Sequence, residues 1–307
     1  MRFLIVGASG FIGRHLLAHV KSLGFEAIGT HEDASKPGLI MFDLLRHRIG
    51  DCVDRSFFDR EGRVHVVICA VIGNMDRCLA ERELSYKVNV ENTIRLIDDV
   101  CALKARPVFF STGFVFDGQT GHYTEDHPQS PANEYGRQKA EVERHLRQNV
   151  SAAFVARLDK VVGDSLQEHH LFTEWHQLIT AGQAIACIEG TLLSPTHVDD
   201  VAHAVFLACQ SELKGVFHIA NSEFYSRDEL ARQFCHALGK PPNVVCKPLQ
   251  DFNFLDNRAL KSCLNGFKFV RATGMSFTSV REMFAKFAAG LASRSGGTNS
   301  PSPCQLS

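Results

Sequence analysis

Short apolar runs with little internal alternation recur through the first half of the chain, separated by longer amphipathic stretches. The runs that predict buried strands are 3–6, 25–29, 39–42, 64–70, 108–111 and 153–156. Helical periodicity is clearest at 11–22, 84–103 and 134–147. Buried strands that alternate with helices are typical of a parallel sheet covered on both faces. We therefore expect an α/β fold, a Rossmann-like doubly wound parallel sheet.

The pattern changes after about residue 160. Helical stretches at 171–181, 198–209 and 227–238 are separated by short strands such as 216–219. We expect residues 1–160 to form the first domain, which also receives a segment near 190–220. Residues 161–288 should form mainly a smaller, interleaved α/β C-terminal lobe, with a ligand cleft between the two. The Ser-, Gly- and Pro-rich end, 293–307, predicts a disordered tail.

Composition narrows the class of protein. A formal net charge of -1 over 307 residues provides no attraction for nucleic acid or an anionic membrane. No apolar run approaches the ~20 residues of a membrane span, and the first strand leads directly into a glycine-rich motif, without room for a signal peptide. The ten cysteines include no Cys-x-x-Cys pair. We expect reduced thiols, a cytoplasmic protein and no metal site.

The glycine-rich segment Gly7-Ala8-Ser9-Gly10-Phe11-Ile12-Gly13 follows the first predicted strand and opens the first predicted helix. In that context it predicts a dinucleotide-binding turn. Gly7 would permit the tight turn, Gly10 would let a pyrophosphate approach backbone N–H groups, and Gly13 would allow close packing. The other predicted cofactor contacts in this segment are Ser9, Phe11 and Ile12.

The second predicted strand ends in Gly29-Thr30-His31, with Glu32-Asp33 slightly later. A carboxylate at the strand end would favour NAD, because it binds the ribose 2′-OH. The hydroxyl of Thr30 and the imidazole of His31 accommodate a 2′-phosphate better, so the sequence favours NADP(H) over NAD(H). Asp43 either meets the adenine amino group or caps a helix. Leu44, beside Asp43, is a further predicted cofactor contact.

Tyr135 and Lys139 are four residues apart, so they share one face of the predicted helix. An ammonium near a phenol favours the phenolate and lowers the phenol's pKa from about 10 towards neutrality. A tyrosine in that state can donate or accept a proton at physiological pH. With Ser111 and Thr112 at the end of the preceding strand, the set predicts hydride chemistry on a carbonyl or an alcohol.

In this order, the motifs resemble the extended short-chain dehydrogenase/reductase superfamily, and more narrowly the dTDP-4-dehydrorhamnose reductase family of sugar-nucleotide reductases. The resemblance covers roughly residues 1–288. The segments that carry the narrower resemblance are 110–118, 123–125 with Pro131, 135–139, 194–202, 217–219 with Ser226 and Leu230, and 255–257.

The resemblance implies roles for individual residues. Tyr135 would be the general acid that protonates a carbonyl oxygen, and Lys139 would lower its pKa and hold the nicotinamide ribose. Thr112, with Ser111 beside it, would polarise the same oxygen, and Asn89 would brace the site. The cofactor contacts that the resemblance implies are Ala70 and Val71 at the end of the fourth strand, Asn89, Ser111, Tyr135 and Lys139. The resemblance also implies a nucleotide-sugar substrate and a possible homodimer.

Two departures from the family pattern concern the substrate. Gly113-Phe114 replaces Asp-Tyr after the catalytic threonine, and Leu158-Asp159-Lys160 replaces Thr-Ser-Trp after the sixth strand. Lys160 is either a contact for a phosphate or carboxylate or a solvated surface lysine. Trp175 is either core or part of a new pocket wall. The predicted substrate contacts are therefore Thr112, Gly113, Phe114, Lys160 and Trp175.

Three functions follow from these residues. The first is an NAD(P)H-dependent reductase of a nucleotide-linked keto-sugar. The second is a sugar-nucleotide epimerase or another dehydrogenase of the superfamily. The third is a non-catalytic, cofactor-binding regulatory subunit, since a regulatory subunit of methionine adenosyltransferase resembles the same family.

Overall fold

The computed structural model describes residues 1–33 and 36–295, with side chains to 292. Within these residues seven strands form one fully parallel sheet, in the order β11-β6-β5-β4-β1-β2-β3. Its strands are β1 (Arg2–Val6), β2 (Glu26–His31), β3 (Ile40–Met41), β4 (Val64–Ile68), β5 (Arg106–Thr112), β6 (Phe154–Leu158) and β11 (Gly215–His218). The α/β prediction is confirmed, although the predicted third strand shrinks to two residues.

The remaining strands form three two-stranded sheets near the C-terminal lobe, pairing β10 with β7, β12 with β9 and β13 with β8. Their bounds are β7 (Lys160–Val162), β8 (Ile185–Ile188), β9 (Leu192–Leu193), β10 (Pro195–His197), β12 (Tyr225–Ser226) and β13 (Val244–Lys247). The described helices are α1 (Phe11–Ser22), α2 (Ile49–Cys52), α3 (Ser56–Asp59), α4 (Met75–Ala80), α5 (Arg82–Tyr86), α6 (Asn92–Ala102), α7 (Glu134–Asn149), α8 (Leu171–Thr180), α9 (Val198–Gln210), α10 (Arg227–Ala237), α11 (Phe267–Thr273) and α12 (Val280–Ser295).

Alternate residues of the central strands pack on opposite faces of the sheet. In β1, Phe3 and Ile5 join the core beneath α1 and α9, whereas Leu4 and Val6 join the core beneath α6 and α7. Both faces are apolar because both are covered, which explains why the sequence shows no polar alternation in these strands.

The C-terminal lobe has its own aromatic core. Phe172, Trp175, Phe234 and Phe287 are fully buried there, between α8, α10 and α12. In contrast, α9 and β11 belong to the main sheet, so the chain crosses between the two parts more than once. Helix α12 extends through residues 293–295, which the sequence assigned to the tail, and the rest of that tail lies outside the described residues.

The predicted helix at 84–103 is not continuous. A single π-helical turn, Lys87–Glu91, separates α5 from α6. Asn89 lies in this turn and is 2% exposed. Such turns are frequent at functional sites, and this one directs an amide side chain towards the end of β4.

Candidate active site

The glycine-rich turn lies between β1 and α1, where the strand order reverses and ligands bind in folds of this kind. Gly7 has φ +84°, and a Cβ there would lie 2.8 Å from the backbone nitrogen of Ala70. A Cβ on Gly13 would overlap the carbonyl oxygen of Gly7. These two glycines are therefore required by the fold, as the sequence predicted.

Gly10 differs from the other two. Its backbone is extended, and a Cβ would meet only the Gly7 oxygen, at 3.4 Å. It caps α1 without a side-chain hydrogen bond, so the first N–H groups of the helix are not capped by a side chain. A helix N-terminus of that kind binds anions, and the residues fit a dinucleotide pyrophosphate.

Two cavities meet at this turn, of about 460 Å³ and about 1010 Å³, and Gly10, Cys69 and Val71 line both. The smaller, which we call the adenosine cavity, is also lined by the predicted residues Gly7, Ser9, His31, Asp43, Leu44 and Ala70. The larger, which we call the reaction cavity, is lined by the predicted residues Phe11, Ile12, Ser111, Thr112, Phe114, Tyr135, Lys139 and Lys160.

Thr30 does not line the adenosine cavity, contrary to the sequence prediction. Its side chain is 1% exposed, and its hydroxyl accepts a hydrogen bond from the Gly7 N–H at 3.3 Å. It stabilises the turn instead. His31 does line the cavity, with its Nδ1 accepting a hydrogen bond from the Asp33 N–H at 2.7 Å, and Glu32 lies beside it.

Asp43 caps a turn, and its contact with the adenine amino group stays a prediction. Its Oδ1 accepts a hydrogen bond from the Leu45 N–H at 2.8 Å, as a turn cap does, and Oδ2 lies 3.2 Å from Arg46 Nε. It also lines the adenosine cavity.

Four polar side chains converge on one wall of the reaction cavity. Ser111 and Thr112 end β5, and Tyr135 and Lys139 lie in the first turns of α7. Asn133 caps this helix, accepting a hydrogen bond from the Gly136 N–H at 2.8 Å.

Gly136 is a requirement that the sequence analysis missed. A Cβ there would overlap the carbonyl oxygen of Phe114, so glycine is what brings α7 against the end of β5. The tight approach explains why a glycine stands between the paired tyrosine and lysine.

The Lys139 ammonium is buried and donates a hydrogen bond to the Phe110 carbonyl at 2.8 Å. It lies 4.5 Å from the centroid of the Phe109 ring and 5.8 Å from that of Tyr135. Burial lowers the pKa of Lys139 to about 8.

Tyr135 departs from expectation. Its pKa is raised above the ordinary value, because burial disfavours the phenolate and Cys78 adds to the effect. The predicted lowering of this pKa by Lys139 is therefore wrong for the protein without ligands. The phenol is protonated at neutral pH, the form that a proton donor needs.

Ser111 is 4% exposed, and among the described residues its hydroxyl has no hydrogen-bond partner. Thr112 accepts a weak hydrogen bond from the Phe114 N–H at 3.2 Å. Buried hydroxyls are normally satisfied, so Ser111 retains a donor for a ligand in the cavity that it lines.

Asn89 lines neither cavity. Its Oδ1 accepts a hydrogen bond from the Ile72 N–H at 2.9 Å, and its Nδ2 donates to the Ile72 carbonyl and to Gln138 Oε1, at 3.0 and 2.8 Å. It therefore ties the segment after β4 to α7. Its predicted place among the cofactor contacts is corrected to a bracing role.

Two predicted substrate contacts are also corrected. Trp175 is fully buried in the C-terminal core, where its ring packs beside Phe172 and Phe234. Gly113 is buried and lines neither cavity, and a Cβ there would lie 2.7 Å from the Ser262 carbonyl oxygen. Glycine at 113 is thus explained by backbone packing.

Lys160 lies on the wall of the reaction cavity, with Arg227 and Glu174 on the same wall. The pKa of Lys160 is lowered, first by burial and then by the neighbouring Arg227 charge. Two cations that repel each other in a cleft favour an anionic ligand. β6 pairs with β5 at Leu158↔Thr112, which brings the segment that follows β6 to the edge of the sheet carrying the hydroxyls.

Sequence reasoning missed several wall residues because they come from distant segments. Those of the reaction cavity are His169, His170, Arg227, Phe252, Phe254, Arg258 and Ser262. His170 stacks on Phe11 at 5.4 Å, and burial lowers its pKa to about 4. The Leu255-Asp256-Asn257 motif was the one signal near the 252–262 segment.

Within the described residues, no group of three or more His, Cys, Asp or Glu side chains is arranged to hold a metal ion. None of the helices in residues 1–33 and 36–295 combines the length and the apolar character of a membrane span.

A family model described as "RmlD substrate binding domain" matches residues 1–293. Methionine adenosyltransferase 2 subunit beta of Rattus norvegicus is 25% identical over 257 residues, 81% of this chain and 75% of that protein. The probable low-salt glycan biosynthesis reductase Agl14 of Haloferax volcanii is 24% identical over 275 residues, 86% of this chain and 90% of that protein.

Solved structures share the fold. A dTDP-4-dehydrorhamnose reductase of Clostridium acetobutylicum superposes with a TM-score of 0.80 at 22% identity, covering 96% of this chain and 100% of that one. The Bacillus anthracis dTDP-4-dehydrorhamnose reductase, in complex with NADP, superposes with a TM-score of 0.79 at 20% identity, covering 93% of this chain and 98% of that one. The UDP-glucose 4-epimerase of Thermus thermophilus, in complex with NAD, superposes with a TM-score of 0.77 at 21% identity, covering 95% of this chain and 99% of that one. The fold is therefore that of the extended short-chain dehydrogenases/reductases, and the predicted resemblance is confirmed.

Proposed function

This chain belongs to the RmlD substrate binding domain family, whose fold is that of NAD(P)-dependent oxidoreductases of the extended short-chain type, and we propose that it reduces a nucleotide-linked keto-sugar. The observation that carries this proposal is that Ser111, Thr112, Tyr135 and Lys139 line the same cavity as Gly10 and Gly13 of the glycine-rich turn.

In the proposed reaction, Tyr135 donates a proton to the carbonyl oxygen as that oxygen gains negative charge. The hydroxyls of Ser111 and Thr112 donate hydrogen bonds to the same oxygen and stabilise the charge. When bound, the nicotinamide cofactor supplies a hydride to the carbonyl carbon. Lys139, held by the Phe110 carbonyl, provides a nearby positive charge that favours the phenolate once the proton has left.

For the cofactor, we propose NADP(H), with NAD(H) as the alternative. His31 on the wall of the adenosine cavity supports NADP(H), as the sequence suggested. Thr30 no longer contributes, and the carboxylate of Glu32 on the same wall favours an unphosphorylated ribose. Affinity measurements with NADPH and NADH decide between the two.

For the substrate, Lys160 and Arg227 support a phosphate-bearing ligand in the reaction cavity. A volume of about 1010 Å³ accommodates a sugar nucleotide together with a nicotinamide group. At position 114, which lines the reaction cavity, phenylalanine replaces the tyrosine of the family pattern and removes one hydroxyl from the wall, so the preferred sugar should be less hydroxylated or differently oriented than the family's usual one.

The test is turnover. The full chain is incubated with NADPH or NADH and a panel of nucleotide-linked keto-sugars, and loss of the reduced cofactor's absorbance is followed. We expect one combination to consume reduced cofactor in proportion to substrate. Retention of tightly bound oxidised cofactor with interconversion of sugar epimers would instead favour the epimerase alternative.

A non-catalytic regulatory subunit is the second candidate. It is favoured by the similarity to methionine adenosyltransferase 2 subunit beta, together with the changed residues on the reaction-cavity wall. Binding of a dinucleotide without consumption of it on any keto-sugar, combined with co-purification of a larger enzyme, would support this candidate over the reductase. A homodimer stays a prediction that mass measurement in solution can test.

A further inference from the structure

Residues 252–258, which we call the strap, contribute an aromatic surface to the reaction cavity. The rings of Phe252 and Phe254 stack with centroids 5.6 Å apart and planes 4° from parallel. The Arg258 guanidinium lies 4.1 Å from the Phe254 centroid. All three side chains line the cavity, and Phe254 is 38% exposed.

The strap is held firmly in place. Asp76, in α4, accepts hydrogen bonds from the N–H groups of Leu255 and Asp256, both at 3.1 Å, and from Arg258 Nη2 at 2.8 Å. Asp256 in turn accepts a hydrogen bond from the N–H of Glu134, the first residue of α7, at 2.7 Å. The aromatic pair is thus pre-oriented and tied directly to the helix that carries Tyr135.

Phe254 is exposed and Phe252 is half-buried on the cavity wall. A parallel pair of rings beside a guanidinium is well suited to a flat heteroaromatic ligand. Such a ring gains stacking energy on an aromatic face and a cation–π contribution from arginine. Saturated sugar rings and phosphates have no flat π-face to offer. The proposed phosphate contacts are Lys160 and Arg227, which line the same cavity.

We infer that Phe252 and Phe254, supported by Arg258, form the platform on which the base of the substrate's nucleotide stacks, so that the strap determines which nucleotide-linked sugars bind. The inference rests on the proposed function in one respect, that the substrate carries a nucleotide. The same strap then connects recognition of the base to the position of Tyr135, through the bond from Asp256 to α7.

The experiment is isothermal titration of the full chain with dTDP, with UDP and with inorganic pyrophosphate. Substitutions Phe252→Leu and Phe254→Leu remove the aromatic face and retain apolar volume. We expect each substitution to lower the affinity for the tighter-binding nucleoside diphosphate about tenfold, the scale of one base–aromatic stack. Pyrophosphate affinity should stay within about twofold of the wild-type value. Phe252→Tyr should retain affinity.

Phe224→Leu is the matched control. Phe224 is 48% exposed and lines neither the adenosine nor the reaction cavity, so its loss should leave all three affinities unchanged. Circular dichroism melting and NADPH affinity establish that each variant is folded.

Unchanged nucleoside diphosphate affinity in Phe252→Leu and Phe254→Leu would overturn the inference, as would equal loss of pyrophosphate binding or failure of the wild-type chain to bind either nucleoside diphosphate. These outcomes are independent of turnover. A chain that binds dTDP or UDP through the strap but reduces no keto-sugar supports the inference and contradicts the reductase proposal.

Discussion

The adenosine cavity and the reaction cavity meet at the same turn, but their walls are built in different ways. The shape of the first depends on backbone at Gly7, where a Cβ would lie 2.8 Å from the backbone nitrogen of Ala70. The second depends on side chains from segments far apart in sequence, such as Lys160, Arg227 and Phe252.

This difference distinguishes wall residues that the fold requires from wall residues that are specific to this chain. A wall formed by the backbone itself, as at Gly7, tolerates little change in sequence. The side chains that line the reaction cavity can be substituted without disturbing the sheet, because these residues lie after the strand ends or in the C-terminal lobe. We therefore expect the choice of substrate to depend on the reaction cavity.

The largest expected effect is in the reaction cavity. Tyr135→Phe removes the proton donor and should lower kcat by about 10²- to 10⁴-fold, the usual contribution of a general acid. Dinucleotide affinity should change little, because the ring is retained. Steady-state turnover and fluorescence titration with reduced cofactor measure the two. Turnover close to that of the wild type would show that another group donates the proton.

The pH dependence of the reaction cavity should follow Lys139, whose pKa is about 8 in the free protein. Below that pH the ammonium is present, and above it the charge is lost, so kcat/KM should fall about tenfold per pH unit on the alkaline side. In Lys139→Arg the charge persists, and any remaining activity should lack this decline. A wild-type profile that stays flat from pH 7 to pH 10 would contradict the assignment.

In the adenosine cavity, Gly7→Ala tests whether the turn requires a residue without a Cβ. Gly24→Ala is its control, because φ is +81° there against +84° at Gly7, yet a Cβ would meet nothing within 4 Å. Both variants carry the left-handed strain of about 1–2 kcal/mol. Gly7→Ala should lose about 1–3 kcal/mol more from overlap with Ala70, and should also lose dinucleotide binding. Urea unfolding and cofactor titration test this, and equal destabilisation of the two variants would refute it.

Lys160→Met tests the charge on the wall of the reaction cavity. Loss of a charge-assisted hydrogen bond should raise the KM for a nucleotide-linked substrate about tenfold, with kcat nearly unchanged. Lys240→Met, at an exposed position outside both cavities, should have no effect. If the two variants behave alike, Lys160 is a solvated lysine and does not contact the substrate.

The smallest effect is expected at Glu32, which lies on the wall of the adenosine cavity. Glu32→Gln removes one exposed negative charge and should raise NADPH affinity roughly threefold, with NADH affinity unchanged or lower. The ratio of the two dissociation constants is the readout. An unchanged ratio would show that Glu32 does not face the 2′ position of the ribose.

The sequence was sufficient to predict the parallel sheet, the glycine-rich turn, and the polar residues at the end of β5 and the start of α7. Each of these follows from local rules: apolar runs, glycine spacing, and helical pairing of Tyr135 with Lys139. It left Trp175 open between core and pocket wall, and it misplaced Thr30, because burial in a neighbouring core or a bond to Gly7 decides what the side chain contacts. It could not reveal Phe252 and Phe254, because their position on the wall of the reaction cavity depends on bonds from the strap to Asp76 and α7.

The pKa of Tyr135 illustrates the same limit. Spacing alone indicates a neighbouring charge, whereas the structure shows that burial dominates and raises the pKa. The Lys139 ammonium is held by the Phe110 carbonyl at 2.8 Å. A four-residue spacing therefore predicted which groups meet, but not the direction of the resulting shift.

The central claim, that the chain transfers hydride to a nucleotide-linked keto-sugar, is tested most directly by isotope transfer. Reduced cofactor deuterated at the transferring position of the nicotinamide is incubated with the chain and the keto-sugar that binds most tightly, and the product is analysed by mass spectrometry. We predict one deuterium on the former carbonyl carbon in wild type, and its near absence in Tyr135→Phe over the same time. Simultaneous binding of both ligands with no deuterium in the sugar would contradict the claim.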